Sequence, residues 1–523
     1  MSEYANAFRQ ALETGQFIVT LEYTAPDRSE SIDDLVALAR YVGDEPRIQT
    51  IGITDRVVGE TAHDPIDLAV RAADVSGKMP LVHLSGKNHT PEAMRGRYEQ
   101  MLALGLANPL VVTGDVPRVQ KEFRKNADLD AVSPQGFLDS VQAVDLARQC
   151  SDRFCIAGAV TSFKYTEPTL MMQYLKLQKK IARGMDVVFN QVGYDLRKTQ
   201  ELVLHLRFTR QPVPAIAALY WLTPAFARFA NRGEVPGVII TEDLVTLLEQ
   251  WSKLPDKGKA KRVEMMMLHI GLARLFGYAG VHIGGFKKPD TLREVLDRVD
   301  ELMASQPSVD ALWQRWLDLA RLEDGRAVRF APAEGFYLFT ADSNGLNTDQ
   351  PSPDGLAVAR PMRFRMLRAM HDLLFTDFME PGHVGHAVSR FIIRHPVLKK
   401  AGYLCERLAK TPLVGCEGCG SCSLPETEYV CIESTCGKGL PNGPCGGCDA
   451  EGTCEAFPGR ECAWAEIYRR AKAAGELDRL AATFVPPKDR QLRKTCSWMN
   501  LALALDHHAR MEQDDDPDQH SGQ

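Results

Sequence analysis

A chain of 523 residues with 45% hydrophobic content buries more core than one domain ordinarily holds, so two or three domains are expected. Charged residues at 25% and aromatics at 8% match the globular average and exclude wholesale disorder, a coiled coil or a collagen-like fibre. A formal net charge of −6 supplies no overall drive toward nucleic acid or an anionic membrane surface.

The N-terminus MSEYANAFRQ is polar and has no apolar signal core, which predicts a cytoplasmic protein. The longest uncharged stretch, 211–227, contains three prolines and falls short of the roughly 20 apolar residues a bilayer span needs, so no membrane segment is expected. Eight short β-type runs then follow in order: 16–22, 48–54, 79–85, 108–114, 154–159, 186–191, 213–219 and 279–285. They are nearly continuous apolar runs, as in strands buried on both faces, and most alternate with segments of helical period. Eight such units predict an α/β fold, a (β/α)8 TIM barrel over residues 1–305; no G-x-G-x-x-G follows the first strand, which argues against a doubly wound open sheet.

Barrel chemistry sits at the C-terminal ends of the strands, so the polar residues closing each run are the candidates. They are Glu22, Thr54 with Asp55, His83 with Ser85, Thr113 with Asp115, and Gln191. Thr54, Ser85 and Thr113 also suit helix N-caps. Glu22 does not: a carboxylate at the end of a buried strand needs a partner or a task.

After the barrel, residues 306–390 read as a connecting segment with an exposed loop around 343–355, residues 391–500 as a small cysteine-rich domain, and residues 501–523 as a disordered acidic tail. Of thirteen cysteines, all but Cys150, Cys155 and Cys496 fall between Cys405 and Cys462. In a reducing compartment such a cluster holds metal rather than disulfides. The candidate ligands are Cys416, Cys419, Cys422, Cys431, Cys436, Cys445, Cys448, Cys454 and Cys462, with adjacent glycines that let the backbone turn its N–H groups toward sulfur. The C-x2-C-x2-C run leans toward a [4Fe-4S] cluster, although no Cys-Pro follows it; zinc is the other metal this donor set suits, and a purely structural thiol or disulfide cluster is the third reading.

At this point a resemblance becomes visible. TLEYTAP, IGITDR, VHLS, TGD and FNQVGYD, in that order, resemble the motifs of the methylenetetrahydrofolate reductase family of FAD-dependent barrels, and GCEGCGSC, CGKGLPNGPCGG and CEAFPGRECAWAEIYRR are similar to a cysteine-rich domain fused to or partnered with some of its members. The resemblance implies interconversion of 5,10-methylenetetrahydrofolate and 5-methyltetrahydrofolate by hydride transfer through FAD, in one-carbon and methionine metabolism. It implies Glu22 as the acid, with a pKa raised by an apolar surround, and Asp115 beside flavin and pterin. Thr54, His83, Thr113, Gly114 and Lys180 are implied as cofactor contacts, and Gln191 and Lys288 as folate contacts. This chain differs in having Thr113 where the family has arginine, Asp55 for tyrosine and Gln173 for an acidic residue. Those differences weaken the nicotinamide site, so the electron donor is NAD(P)H or a ferredoxin-like protein acting through the cysteine domain. Two other readings stay open: a tetrahydrofolate-dependent methyl-transfer protein and an electron-transfer scaffold. An assembly of identical chains is allowed.

Overall fold

A computed structural model describes residues 4–55, 62–116, 136–286, 289–343, 345–347, 384–457 and 459–509, with isolated positions at 364–371 and at 511. Eight parallel strands close into a barrel: β1 (Ile18–Thr24), β2 (Thr50–Thr54), β3 (Leu81–Ser85), β4 (Pro109–Val112), β5 (Ala157–Val160), β6 (Val187–Asn190), β7 (Ala215–Tyr220) and β8 (Gly280–Gly284). The order is sequential, and β8 pairs with β1 through Ile18↔Gly280 and Thr20↔His282. The (β/α)8 expectation is met, each strand lying within about two residues of its apolar run.

Two sequence features set this architecture. The intervening helices start at side-chain caps reinforced by proline, as at Asp64-Pro65, Thr90-Pro91 and Thr223-Pro224, so each loop returns the chain to the sheet at a defined residue. Alternation along the strands then sorts side chains by layer. The first inward layer, Ile18, Leu81, Leu110, Val187 and Ile216, is apolar and is plugged from below by Phe8 of the helix Ala7–Thr14. Two residues further along those strands stand Thr20, His83, Val112, Phe189 and Ala218, with Gly52 and His282 beside them. This layer mixes polar and small side chains with the apolar Val112 and Phe189, and a cavity opens among them.

The segment after residue 305 differs from the expected connector. The helix Val309–Leu319 packs on the helix Lys259–Phe276, burying Leu312, Trp316 and Leu319 in the main core. Its apolar stripe had no strand to follow it, but its partner is the outer helical layer rather than the sheet. Further on, the Tyr337 hydroxyl donates to Asp195 at 2.7 Å. The loop expected at 343–355 lies largely outside the described residues.

The cysteine module occupies the barrel flank beside the helix Glu167–Ala182. Met172 and Leu175 of that helix share a core with Trp464, Ile467, Tyr468, Ala471 and Leu480, side chains of the kind that stabilise by about 1.5–3 kcal/mol each when fully buried. Polar ties reinforce the seat. Lys176 Nζ donates to Asp139 Oδ2 (3.0 Å) and to the carbonyls of Gly443 (3.2 Å) and Pro444 (3.1 Å), and Gln142 donates to the Val485 carbonyl at 2.9 Å. Residues 501–509, expected within a disordered tail, are ordered: the segment after the helix Ser497–Ala502 turns back and buries His507 against Ser421. No helix among the described residues is long and apolar enough to cross a membrane.

Candidate functional site

A cavity of about 290 Å³ opens at the C-terminal end of the strands. Glu22, His83, Thr113, Gly114, Asp115, Lys180 and Gln191, all singled out from sequence, line it together. Thr54 does not; its hydroxyl accepts the Ala25 N–H at 3.3 Å and fixes the end of β1. Lys288 lies outside the described residues.

Glu22 is the third inward residue of β1, after Ile18 and Thr20, and stands beside Gly284 of β8. A Cβ on Gly284 would lie 3.0 Å from Glu22 Oε1, so that glycine makes the slot the carboxylate occupies. Glu22 Oε2 is 3.4 Å from His282 Nε2, and His282 Nδ1 is 2.7 Å from the Thr20 hydroxyl. The Thr20 hydroxyl, which also donates to the Val281 carbonyl at 3.4 Å, holds the ring at Nδ1 and so turns Nε2 toward Glu22. Gly52 permits this cluster, because a Cβ there would lie 2.8 Å from His282 Cε1 and 3.1 Å from His83 Nε2.

The electrostatics correct one expectation. Burial pushes the Glu22 carboxyl up, as the apolar-surround argument requires, but contact with His282 outweighs it and holds the group below the ordinary carboxylate range. Burial, with His282 nearby, brings His83 down to about 4, so its ring is neutral near pH 7. His282 was missed in the sequence because only residues closing each run were weighed, whereas it lies inside VHIGG. A polar residue within a buried strand carried the same signal as Glu22.

Across the cavity, Gly114 has φ +87, and a Cβ there would lie 2.6 Å from Ser85 Oγ, so glycine is required. Asp55 accepts the Ser85 N–H at 3.0 Å, and burial raises its carboxyl. Lys180 Nζ donates to the Ala159 carbonyl at 2.6 Å; burial, then the neighbouring Lys176, bring it down to about 7. Gln191 folds back so that its Oε1 accepts the Val192 N–H at 2.9 Å. His83 Nε2, Gln173 Nε2 and His282 Nε2 are buried without hydrogen-bond partners at this cavity, as expected of a site shaped for a polar ring system.

Sequence reasoning also missed that the cysteine module completes this cavity. Pro444, Cys445, Gly446 and Gly447 form part of its wall, and Lys438 Nζ donates to the Gly114 carbonyl at 2.6 Å while pairing with Glu455. Beyond Gly447 an open groove of about 940 Å³ runs between residues 230–240 and 447–460.

The nine candidate ligands divide into two sets. Cys416, Cys419, Cys422 and Cys431 line one small cavity with Lys488, and Lys410 Nζ lies 3.4 Å from Cys422 Sγ. Cys436, Cys445, Cys448, Cys454 and Cys462 form the other; burial, then the charges of the other four, hold Cys462 well above the ordinary thiol range. Backbone N–H groups point at sulfur in both, Gly418 to Cys416 and Gly447 to Cys445, each at 3.4 Å.

Comparison with known proteins adds family relationships. Residues 7–300 match the family described as methylenetetrahydrofolate reductase, and residues 396–491 match the one described as methylene-tetrahydrofolate reductase C terminal. No curated protein matches the chain. Among solved structures, it is similar to an uncharacterized Clostridium thermocellum protein that binds two copies of 5-methyl-5,6,7,8-tetrahydrofolic acid (13% identity, 57% of this chain and 99% of the other, TM-score 0.42). It is also similar to phosphonopyruvate hydrolase (13% identity, 58% and 86%, TM-score 0.30).

Proposed function

The chain belongs to the methylenetetrahydrofolate reductase family, and from that premise we propose that it is a flavin-dependent reductase interconverting 5,10-methylenetetrahydrofolate and 5-methyltetrahydrofolate. The observation that carries this reading is the Thr20–His282–Glu22 line on one wall of a cavity whose other walls hold Gly114, Asp115 and Gln191. FAD is the proposed cofactor; His83, Gln173, Thr113, Gly114 and Lys180 would hold it, and the unpartnered nitrogens of His83 and Gln173 support the fit. Bound there, the flavin supplies two-electron hydride chemistry.

The protein's own residues manage protons and position. His282, held at Nδ1 by Thr20, sets its Nε2 3.4 Å from Glu22 Oε2, and the pair takes up one proton from solvent. In reduction Glu22 passes that proton to the bridging amine of the folate, which opens the five-membered ring; in oxidation the carboxylate takes it back. Because Glu22 rests below the ordinary carboxylate range, it is set as the base, and reduction draws its proton through His282. Asp115 offers a carboxylate to the donor edge of the pterin and Gln191 an amide. The 444–447 loop shields the cavity from water on one side.

The cysteine module is proposed as the route for electrons, from NAD(P)H or a ferredoxin-like protein. Cys445 belongs to the second cysteine set and lines the same cavity as Glu22. The C-x2-C-x2-C run supports iron-sulfur clusters, which would supply one-electron chemistry.

Absorbance and metal content of protein purified without oxygen test the reading first: flavin bands with a broad iron-sulfur shoulder support it, while zinc without flavin moves methyl transfer to first place. Glu22→Gln should then lower folate reduction by about 10²–10⁴-fold with flavin absorbance unchanged. An unchanged rate removes Glu22 from the mechanism.

A further inference from the structure

Outside both cysteine sets, Glu426, His507 and His508 bring three ligand atoms within 4.8 Å of one another. Glu426 lies in the short turn Pro425–Thr427, inside the loop between Cys422 and Cys431; the two histidines come from the C-terminal segment, beyond the residues the family relationship covers. Glu426 Oε1 is 3.0 Å from His508 Nε2, and Glu426 Oε2 is 3.8 Å from His507 Nε2. An ion bonded to N and O ligands at about 2.0–2.1 Å in tetrahedral geometry holds them roughly 3.3 Å apart, inside this range.

The second nitrogen of each ring is already occupied. His507 Nδ1 is 2.7 Å from Ser421 Oγ, and His508 Nδ1 is 3.1 Å from Asp506 Oδ2. This is how ligating histidines are oriented: the outer nitrogen is held by a hydroxyl or carboxylate, leaving Nε2 for the ion. A simple ion pair accounts for the geometry less well. It would satisfy Glu426 Oε1 and His508, yet Glu426 Oε2 and His507 Nε2 are both buried, face each other and have no hydrogen-bond partner. With the His507 proton on Nδ1, toward Ser421, Nε2 and Glu426 Oε2 face each other as two lone-pair atoms, which a cation between them satisfies.

We propose that Glu426, His507 and His508 bind a single divalent transition-metal ion of the zinc class. Two imidazoles and one carboxylate, with no thiolate, make a borderline donor set distinct from the cysteine sets. Three protein ligands leave a fourth position for water. The ion pins the C-terminal segment to the loop of the first cysteine set, because Ser421, which orients His507, lies between Cys419 and Cys422. The inference does not depend on the reaction assigned to the barrel.

The test adds Co²⁺ to full-length protein purified without oxygen. The expected result is about one equivalent giving visible d–d bands without sulfur-to-cobalt charge transfer, and their loss in Glu426→Gln/His507→Gln with iron content unchanged. Elemental analysis after equilibration with Zn²⁺ should show the variant holding about one ion fewer per chain. If all bound cobalt shows sulfur charge transfer, or the folded variant binds as much zinc as the parent, the site is an ion pair and the proposal is wrong. Should the variant fail to fold, the cobalt spectrum of the unmodified protein decides alone.

Discussion

The barrel and the cysteine module are held together by different means. The barrel has an apolar layer under its cavity and a much larger core between strands and helices. The module's apolar clusters are small, and the larger one is completed by Met172 and Leu175 of a barrel helix. What the module has instead is thiols gathered by tight turns and lysine–glutamate pairs beside each cysteine set, Lys488 with Glu433 and Lys438 with Glu455. The barrel takes its stability from area removed from water, whereas on the proposed reading the module takes much of its own from the metal its thiols would bind.

That contrast breaks most decisively under metal removal. Iron chelation under reducing conditions should abolish the module's thermal transition while the barrel's persists, which calorimetry with and without chelator reads as two peaks becoming one. Simultaneous loss of both transitions would show that the barrel depends on the module. The next effect is at their seam. Lys176→Met leaves the fully buried Asp139 carboxylate unpaired and frees the carbonyls of Gly443 and Pro444, so a loss of about 3–5 kcal/mol is expected, with faster proteolysis of the module.

The smallest effect sharpens the barrel's side. Burial brings His83 and His205 down to about 4 and His269 down to about 3, so the folded barrel holds all three neutral. The unfolded chain takes up those protons first, so stability present above pH 6.5 is lost as pH falls from there toward 4. His269→Leu should reduce that acid sensitivity by about 1–3 kcal/mol, visible as a flatter dependence of the barrel's Tm on pH.

Legibility in the sequence followed the same division. Strands buried on both faces are nearly continuous apolar runs, so all eight stood out, and their inward alternation already aimed Glu22 at the cavity. What pairs across the barrel closure did not. His282 meets Glu22 only because β8 hydrogen-bonds β1, and that contact reverses the direction expected for the Glu22 pKa. The cysteine cluster carries the expectation of metal, but spacing does not say which thiols share a site; the short helix Ile432–Thr435 separates Cys431 from Cys436 and parts the two sets. Glu426 and His507 were invisible as a pair because chain folding alone joins a turn to a segment read as acidic tail.

The wall that Pro444–Gly447 contributes to the barrel cavity has a kinetic consequence. A partner protein presenting the same loop would be lost on dilution, and its occupancy would follow concentration. Here the loop is covalently continuous with the barrel and clamped by Lys176, so its effective concentration at the cavity is set by chain geometry. Turnover that depends on that wall should therefore be first order in this protein at any dilution.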